Sequence, residues 1–186
     1  PSLTSKSDLV ELGYDEDKIR VIAEAADPIF TKQPQEKIAM VKKKYNLHDK
    51  PYILSIGINP RKNTQRIINV YRSLKNNMSC SLLLTGSPTG ITLKQEDGII
   101  TTGHIPKADL PALYAGALCL LYPSLYEGFG LPVLEAFACG CPVVASNVSS
   151  LPEVAGKAAI LVDPYNEESI LKGVQKALVQ PQTLIK

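Results

Sequence analysis

Six short runs of the chain are apolar almost throughout instead of at alternate positions: Tyr52 to Ile56, Ser81 to Thr85, Ile99 to Thr102, Ala117 to Tyr122, Val143 to Ser146 and Ala159 to Val162. A strand with one wet face alternates, so runs of this kind need cover on both faces, as the strands of a parallel sheet have. Most are separated by residues at helical spacing, such as Ile67, Val70, Tyr71 and Leu74, and later Ile170, Val174 and Leu178. Ile38, Val41 and Tyr45 supply a further helix ahead of the first run, ended by Pro51. Strand and helix in alternation predict an α/β fold, a doubly wound Rossmann-like parallel sheet with helices on both faces. Ligands of such sheets gather at the carboxyl ends of the strands, so the loops after the strands are where chemistry is to be sought.

The loop after the Ala117–Tyr122 run is the most informative. Gly128-Phe129-Gly130 turns the chain, and Pro132 suits the first turn of a helix, where its missing N–H costs nothing. Two glycines let backbone approach a ligand closely, and a helix start behind them offers free N–H groups and the positive end of a dipole. That describes a cradle for an anion. Glu127 in the loop and Glu135 in the first helical turns flank it, yet a carboxylate repels the phosphate that the N–H groups attract. A ligand with phosphate in its middle and hydroxyls at both ends resolves the conflict, because an ionised carboxylate accepts two bonds from a vicinal diol. A nucleotide-sugar has that shape. The residues alone equally allow Glu135 to complement the helix dipole and Glu127 to be solvated.

Glu127 and Glu135, eight residues apart around Gly-Phe-Gly-Leu-Pro, are followed by Ala138-Cys139-Gly140-Cys141-Pro142-Val143-Val144-Ala145-Ser146. Leu151-Pro152-Glu153-Val154 and Ala159-Ile160-Leu161-Val162-Asp163-Pro164 continue the pattern. Together these stretches resemble the signature of the retaining glycosyltransferase family 4 (group 1). The resemblance implies the C-terminal, donor-binding half of a two-domain GT-B enzyme that moves a glycosyl unit from a nucleoside-diphosphate sugar, such as a UDP- or GDP-sugar, to an acceptor hydroxyl. It implies no cofactor and no metal, and an acceptor bound mainly by an N-terminal domain. It assigns donor-sugar hydroxyls to Glu127, the ribose diol to Glu135, and the diphosphate to the N–H groups from Gly128 through Phe129 and Gly130 to Leu131.

The first strand ends at Gly57, and Ile58-Asn59-Pro60-Arg61-Lys62-Asn63 leads into a helix. A cation just before a helix N-terminus is badly placed for the dipole and so invites an anion. By position the loop resembles the family's diphosphate-binding loop, which has an Arg directly after the Gly and a Lys several residues on. Lys62 matches the lysine, and Ile58 departs from the arginine, which leaves Arg61 to supply the second charge. The resemblance also places the nucleotide base near Gly103-His104-Ile105-Pro106, largely against backbone amides, which makes Ile105 a donor contact; His104 reads as an ordinary loop residue.

Residues 1–30 differ in character, and the resemblance makes them the end of the acceptor-side domain and a hinge, with residues 31–186 the donor domain, cut before a closing C-terminal helix. Ser7 is a candidate N-cap for a helix through Leu12, stopped by Gly13. Ile19 to Ala23 reads as a short strand. Ser150-Leu151-Pro152-Glu153 matches a capping box, and Asn166 with Ser169 three residues on marks the last helix start. Twenty basic against eighteen acidic residues give too little net charge to argue for a nucleic-acid partner. Cys80, Cys119, Cys139 and Cys141 sit in or beside apolar runs without metal-ligand spacing, and no apolar run is long enough to span a bilayer. Buried thiols and the absence of a targeting segment point to the cytoplasm. The competing readings are a dinucleotide oxidoreductase, since Gly128-Phe129-Gly130 begins a G-x-G-x-x-G whose third place is Val133, and a binding module without catalysis.

Overall fold

A computed structural model of the chain describes residues 1–47, 50–76 and 78–179. The expected cut before a closing helix concerns the chain end, which lies outside the described residues. Strands β1 (Tyr52–Ile56), β2 (Ser81–Thr85), β3 (Ile99–Thr101), β4 (Cys119–Tyr122), β5 (Val143–Ser146) and β6 (Ile160–Val162) form one sheet in the order β3-β2-β1-β4-β5-β6. Every neighbouring pair is parallel. The order reverses between β1 and β4, so the loops after these two strands meet at the switch point where such sheets bind ligands.

Period-two side-chain alternation builds two cores from the same strands. Tyr52, Leu54, Leu83, Leu120, Tyr122, Val143 and Ala145 face one way, with Ile38 and Val41 of α2 (Gln35–Lys44), Leu113 and Tyr114 of α4 (Leu110–Ala115), Val133 and Ala136 of α5 (Leu131–Ala138) and Leu151 of α6 (Leu151–Ala155). Ile53, Leu82, Leu84, Cys119, Leu121 and Val144 face the other way, against Ile67, Val70, Tyr71 and Leu74 of α3 (Thr64–Lys75) and Ile170, Val174 and Ala177 of α7 (Glu167–Val179). Both faces are covered, as the continuous apolar runs require, and all four cysteines are buried free thiols. Each fully buried leucine or isoleucine here contributes on the order of 1.5 to 3 kcal/mol from area removed from water.

The amino-terminal segment departs from expectation in two places. Helix α1 (Leu3–Glu11) is capped by Ser2, whose hydroxyl accepts from the Ser5 N–H, and not by Ser7, which lies inside it. The Gly13 stop holds: the N–H groups of Gly13 and Tyr14 bond to the carbonyls of Val10 and Leu9. Ile19 to Ala23 forms no strand, because the sheet ends at β3 and β6 and leaves this segment without a partner; Ile22 is 77% exposed. Further on, β4 starts two residues later than its apolar run: the Ala117 N–H still closes the turn after α4 on the Tyr114 carbonyl, and the Leu118 N–H makes the first bond to β1, at the Tyr52 carbonyl. Asn166 caps α7 through the Ser169 N–H as expected. Ser150 makes no capping bond to α6, for its hydroxyl is engaged by the Glu127 and Phe129 carbonyls. Glu153 instead accepts from the Leu3 N–H at 2.9 Å. No helix among the described residues is long and apolar enough to cross a membrane.

Candidate functional site

The loop after β1 is shaped to present two cations. Gly57 has φ +87, and a Cβ there would lie 3.1 Å from Lys62 Cγ, so glycine alone lets the lysine stem cross the strand end. Asn59 Oδ1 caps the single 3-10 turn Pro60–Lys62 by accepting from the Lys62 N–H at 2.9 Å. Asn63 closes the turn in the left-handed region, φ 63, and donates through Nδ2 to the carbonyls of Pro123 at 3.1 Å and Pro164 at 2.7 Å. The first bond fastens the basic loop to the loop after β4, and the second to the loop after β6. A further bond from the Leu125 N–H to the Arg61 carbonyl, 2.9 Å, completes the seam.

Across the seam stands Glu127. Lys62 Nζ lies 2.6 Å from Glu127 Oε1, and Arg61 Nη1 lies 3.0 Å from Oε2 and donates to the Tyr126 carbonyl at 2.9 Å. The Lys62 and Glu127 side chains are only 12% and 9% exposed, whereas Arg61 is half exposed. Lys62 also donates to the Tyr122 hydroxyl and sits 4.3 Å from the centre of that ring. Burial alone would raise the Glu127 carboxyl, but the hydrogen bond and charge of Lys62, aided by Arg61, outweigh it and hold the group below its ordinary value. Burial prevails for Lys62 and lowers it in spite of Glu127. Burial also pushes the Tyr122 phenol up, which keeps it a neutral partner for the ammonium.

Beyond Glu127 the chain turns through Gly128 and Phe129 to Gly130, whose φ of +116 and Cβ direction, 2.6 Å from Leu151 Cδ2, admit only glycine. Leu131 and Pro132 then open α5. Among the described residues the N–H groups of Gly128, Phe129 and Gly130 have no acceptor. The turn thus presents backbone donors opposite the facing loop, where Lys62 and Arg61 stand paired with Glu127.

The sequence-predicted residues separate into three groups. Lys62, Arg61 and Glu127 come together directly, with Gly57 and the Gly128–Leu131 turn around them. Glu135 stands apart on α5, half-buried, where Oε2 accepts from Tyr114 at 2.7 Å. Burial raises its carboxyl, and the Tyr114 bond only partly opposes this. Ile105 is 5% exposed and packed in the first core, so its backbone alone remains for a ligand; His104 is exposed, and Ile58 is buried in the second core. Tyr122 and Tyr114 were not singled out by the sequence reading, though a tyrosine ending a buried strand beside the glycine loop is a signal. A groove of about 660 Å³ between α3 and the chain near Leu93 and Glu96 contains none of these groups.

A parallel sheet in this order, with Lys62, Arg61, Glu127 and the glycine turn at its switch point, defines a Rossmann-like domain, a fold that takes its ligands in that crevice. Residues 37–184 match the family described as "Glycosyl transferases group 1". The chain is 37% identical over 187 residues to the "O-antigen chain mannosyltransferase B" of Escherichia coli, with 94% of this chain and 49% of that protein covered. Its fold matches Anabaena HepE, solved with UDP and glucose, at a TM-score of 0.83 and 19% identity, over 99% of this chain and 54% of that one. The C-terminal domain of the group 1 glycosyl transferase LpcC from Francisella tularensis matches at 0.69 and 23%, over 88% and 92%. The chain belongs to the group 1 glycosyl transferase family. It spans about half the length of the E. coli relative.

Proposed function

We propose that the chain is the donor-binding half of a retaining family 4 glycosyltransferase, which moves a glycosyl unit from a nucleoside-diphosphate sugar to an acceptor hydroxyl. The observation that carries this is the meeting of Lys62, Arg61 and Glu127 at the switch point beside the free N–H groups of the Gly128 loop. When the bond between sugar and diphosphate breaks, its electron pair leaves on the diphosphate oxygen. Lys62, Arg61 and the N–H groups from Gly128 to Leu131 meet that charge with preorganised donors, a form of stabilisation that costs no reorganisation at the moment of reaction. Glu127 holds hydroxyls of the donor sugar, and Glu135 the ribose diol. With two cations and the loop N–H groups facing the diphosphate, the proposal gives no role to a metal.

The mannosyltransferase relative favours a mannosyl donor, with GDP-mannose the first to try. Acceptor binding falls mainly to an N-terminal domain of the longer protein, and the buried thiols fit a reducing, cytoplasmic setting. The test is calorimetry of GDP-mannose, UDP-glucose and NAD against the chain in EDTA. Binding of a nucleotide-sugar is expected. Binding that needs magnesium or manganese would overturn the metal-free cradle, and NAD binding alone would give the site to an oxidoreductase. Incubated with its donor and a panel of hydroxyl acceptors, the chain by itself should transfer no sugar, because closure between two domains, worth roughly 7 to 11 kcal/mol in positioning, is missing. Transfer at the rate of the longer enzyme would refute the division into halves.

A further inference from the structure

The two edges of the backbone around Glu127 are treated oppositely. The Glu127 carbonyl accepts from the Ser149 hydroxyl at 2.5 Å, and the single Ser150 hydroxyl proton is shared between the Phe129 carbonyl at 2.7 Å and the Glu127 carbonyl at 2.9 Å. Between them, the Gly128 carbonyl accepts from Ser2 at 2.6 Å and Ser5 at 2.9 Å, residues 126 and 123 positions earlier in the chain. The N–H groups of Gly128, Phe129 and Gly130 have no acceptor among the described residues. All peptide bonds here are trans, and in a trans peptide the carbonyl and the following N–H point in opposite directions. Holding the three carbonyls on serine hydroxyls therefore turns the three N–H groups to the other side.

Helix α1 contacts both neighbours of Glu127, one through its side chain and one through its carbonyl. Its Asp8 carboxylate accepts from the Tyr126 hydroxyl, while Ser2 and Ser5 take the Gly128 carbonyl. The Leu3 N–H on Glu153 anchors the helix start to α6. Ser2 is fully buried in this contact. An isolated helix cap needs a single acceptor, and one hydroxyl would satisfy one carbonyl; two hydroxyls aimed at one oxygen is more than either task requires.

We propose that Ser2 and Ser5 are positioning residues for the donor site: by fixing the Gly128–Phe129 peptide they aim the Phe129 N–H at the diphosphate and hold Glu127 in register, so that α1 belongs to the donor site. This rests on the nucleotide-sugar reading above. It adds that the amino-terminal helix, remote in sequence from the motif, sets donor affinity.

The experiment titrates the full chain with GDP and with UDP in EDTA, comparing wild type with Ser5→Ala, Ser5→Thr and Ser2→Asp. Ser2→Asp keeps the acceptor that caps α1 but has no proton to give the Gly128 carbonyl, and so spares the helix. Ser5→Ala and Ser2→Asp should each weaken nucleotide binding by roughly three- to tenfold, the range one neutral hydrogen bond gives. Ser5→Thr, which keeps the hydroxyl, should restore it. The shift of the Phe129 amide resonance on adding GDP should shrink in Ser5→Ala, a readout that a purely structural role would leave alone. Wild-type affinity in both Ser5→Ala and Ser2→Asp, or a loss in Ser5→Thr equal to that in Ser5→Ala, overturns the proposal while the donor site stands. A wild type that binds neither nucleotide removes the donor reading and this proposal together.

Discussion

Glu127 and Glu135 lie eight residues apart around one glycine turn, and the fold gives them opposite environments. Glu127 is almost fully enclosed and faces two cations, one of them equally buried. Glu135 is half-buried, receives one hydrogen bond from the neutral Tyr114, and has no ion-pair partner among the described residues. Both suffer desolvation. In Glu127 the partners overcome it, and in Glu135 they do not, so the first carboxyl is held below its ordinary value and the second above. Enclosure alone therefore does not decide ionisation at this site; the facing loop does.

The sharpest way to break this comparison is to remove one carboxylate charge at a time. Glu127→Gln leaves Lys62 buried beside an amide, and denaturant unfolding at neutral pH should show a loss of about 3 to 5 kcal/mol, the cost of orphaning one member of a buried pair. Adding Lys62→Met should recover most of that loss, since an apolar pair tolerates the site. An unchanged stability in Glu127→Gln would mean the pair is not formed in solution.

A smaller effect separates the two carboxylates by ligand. Glu135→Ala should weaken nucleoside-diphosphate binding by roughly 1.5 to 3 kcal/mol, as the loss of charge-assisted bonds to a ribose would. Glu127→Ala should bind the diphosphate at least as well as wild type, because Lys62 and Arg61 are then released from their carboxylate. Equal losses in calorimetry would erase the division between sugar and ribose.

The smallest effect is in the pH dependence, where the signs differ. The stability that Glu127 contributes is complete above its ordinary value of 4.5 and is lost as pH falls through its lowered folded value. Glu135 contributes stability below 4.5 and loses it as pH rises through its raised value. Glu135→Gln should therefore gain on wild type as pH climbs from 4 to 7, by less than about 1 kcal/mol, the scale of one hydrogen bond. Unfolding midpoints across that range check it, and a Glu135→Gln curve parallel to wild type would deny the raised carboxyl.

The sheet was legible because each strand is a continuous apolar run; the sequence put Lys62, Arg61 and Glu127 at strand-end loops, but their pairing follows from a strand order, with the loops after β1 and β4 side by side, that no local pattern encodes. What sequence reasoning missed lies where one residue had two possible partners. Ser150 looks like a cap, yet its hydroxyl serves the Glu127 and Phe129 carbonyls instead, and Glu153 turns to Leu3. Ser7 suits a cap by type, but the residue that caps α1 is Ser2, which also reaches Gly128 across more than a hundred residues. Nothing local in the sequence announces that reach. Ile19 to Ala23 has strand composition, but a strand needs a neighbour with free backbone groups, and composition does not supply one.

If Lys62 meets the diphosphate as proposed, it must leave the Glu127 carboxylate it is paired with in the free chain. Carbon-13 titration of the Glu127 carboxyl tests this exchange most directly, without ligand and at saturation with GDP, which brings phosphate but no sugar. With the lysine drawn to phosphate and a new negative charge beside it, the Glu127 pKa should rise toward or above its ordinary value on binding. A Glu127 pKa that stays low at full GDP occupancy would contradict the exchange, for it would leave Lys62 still bound to the carboxylate.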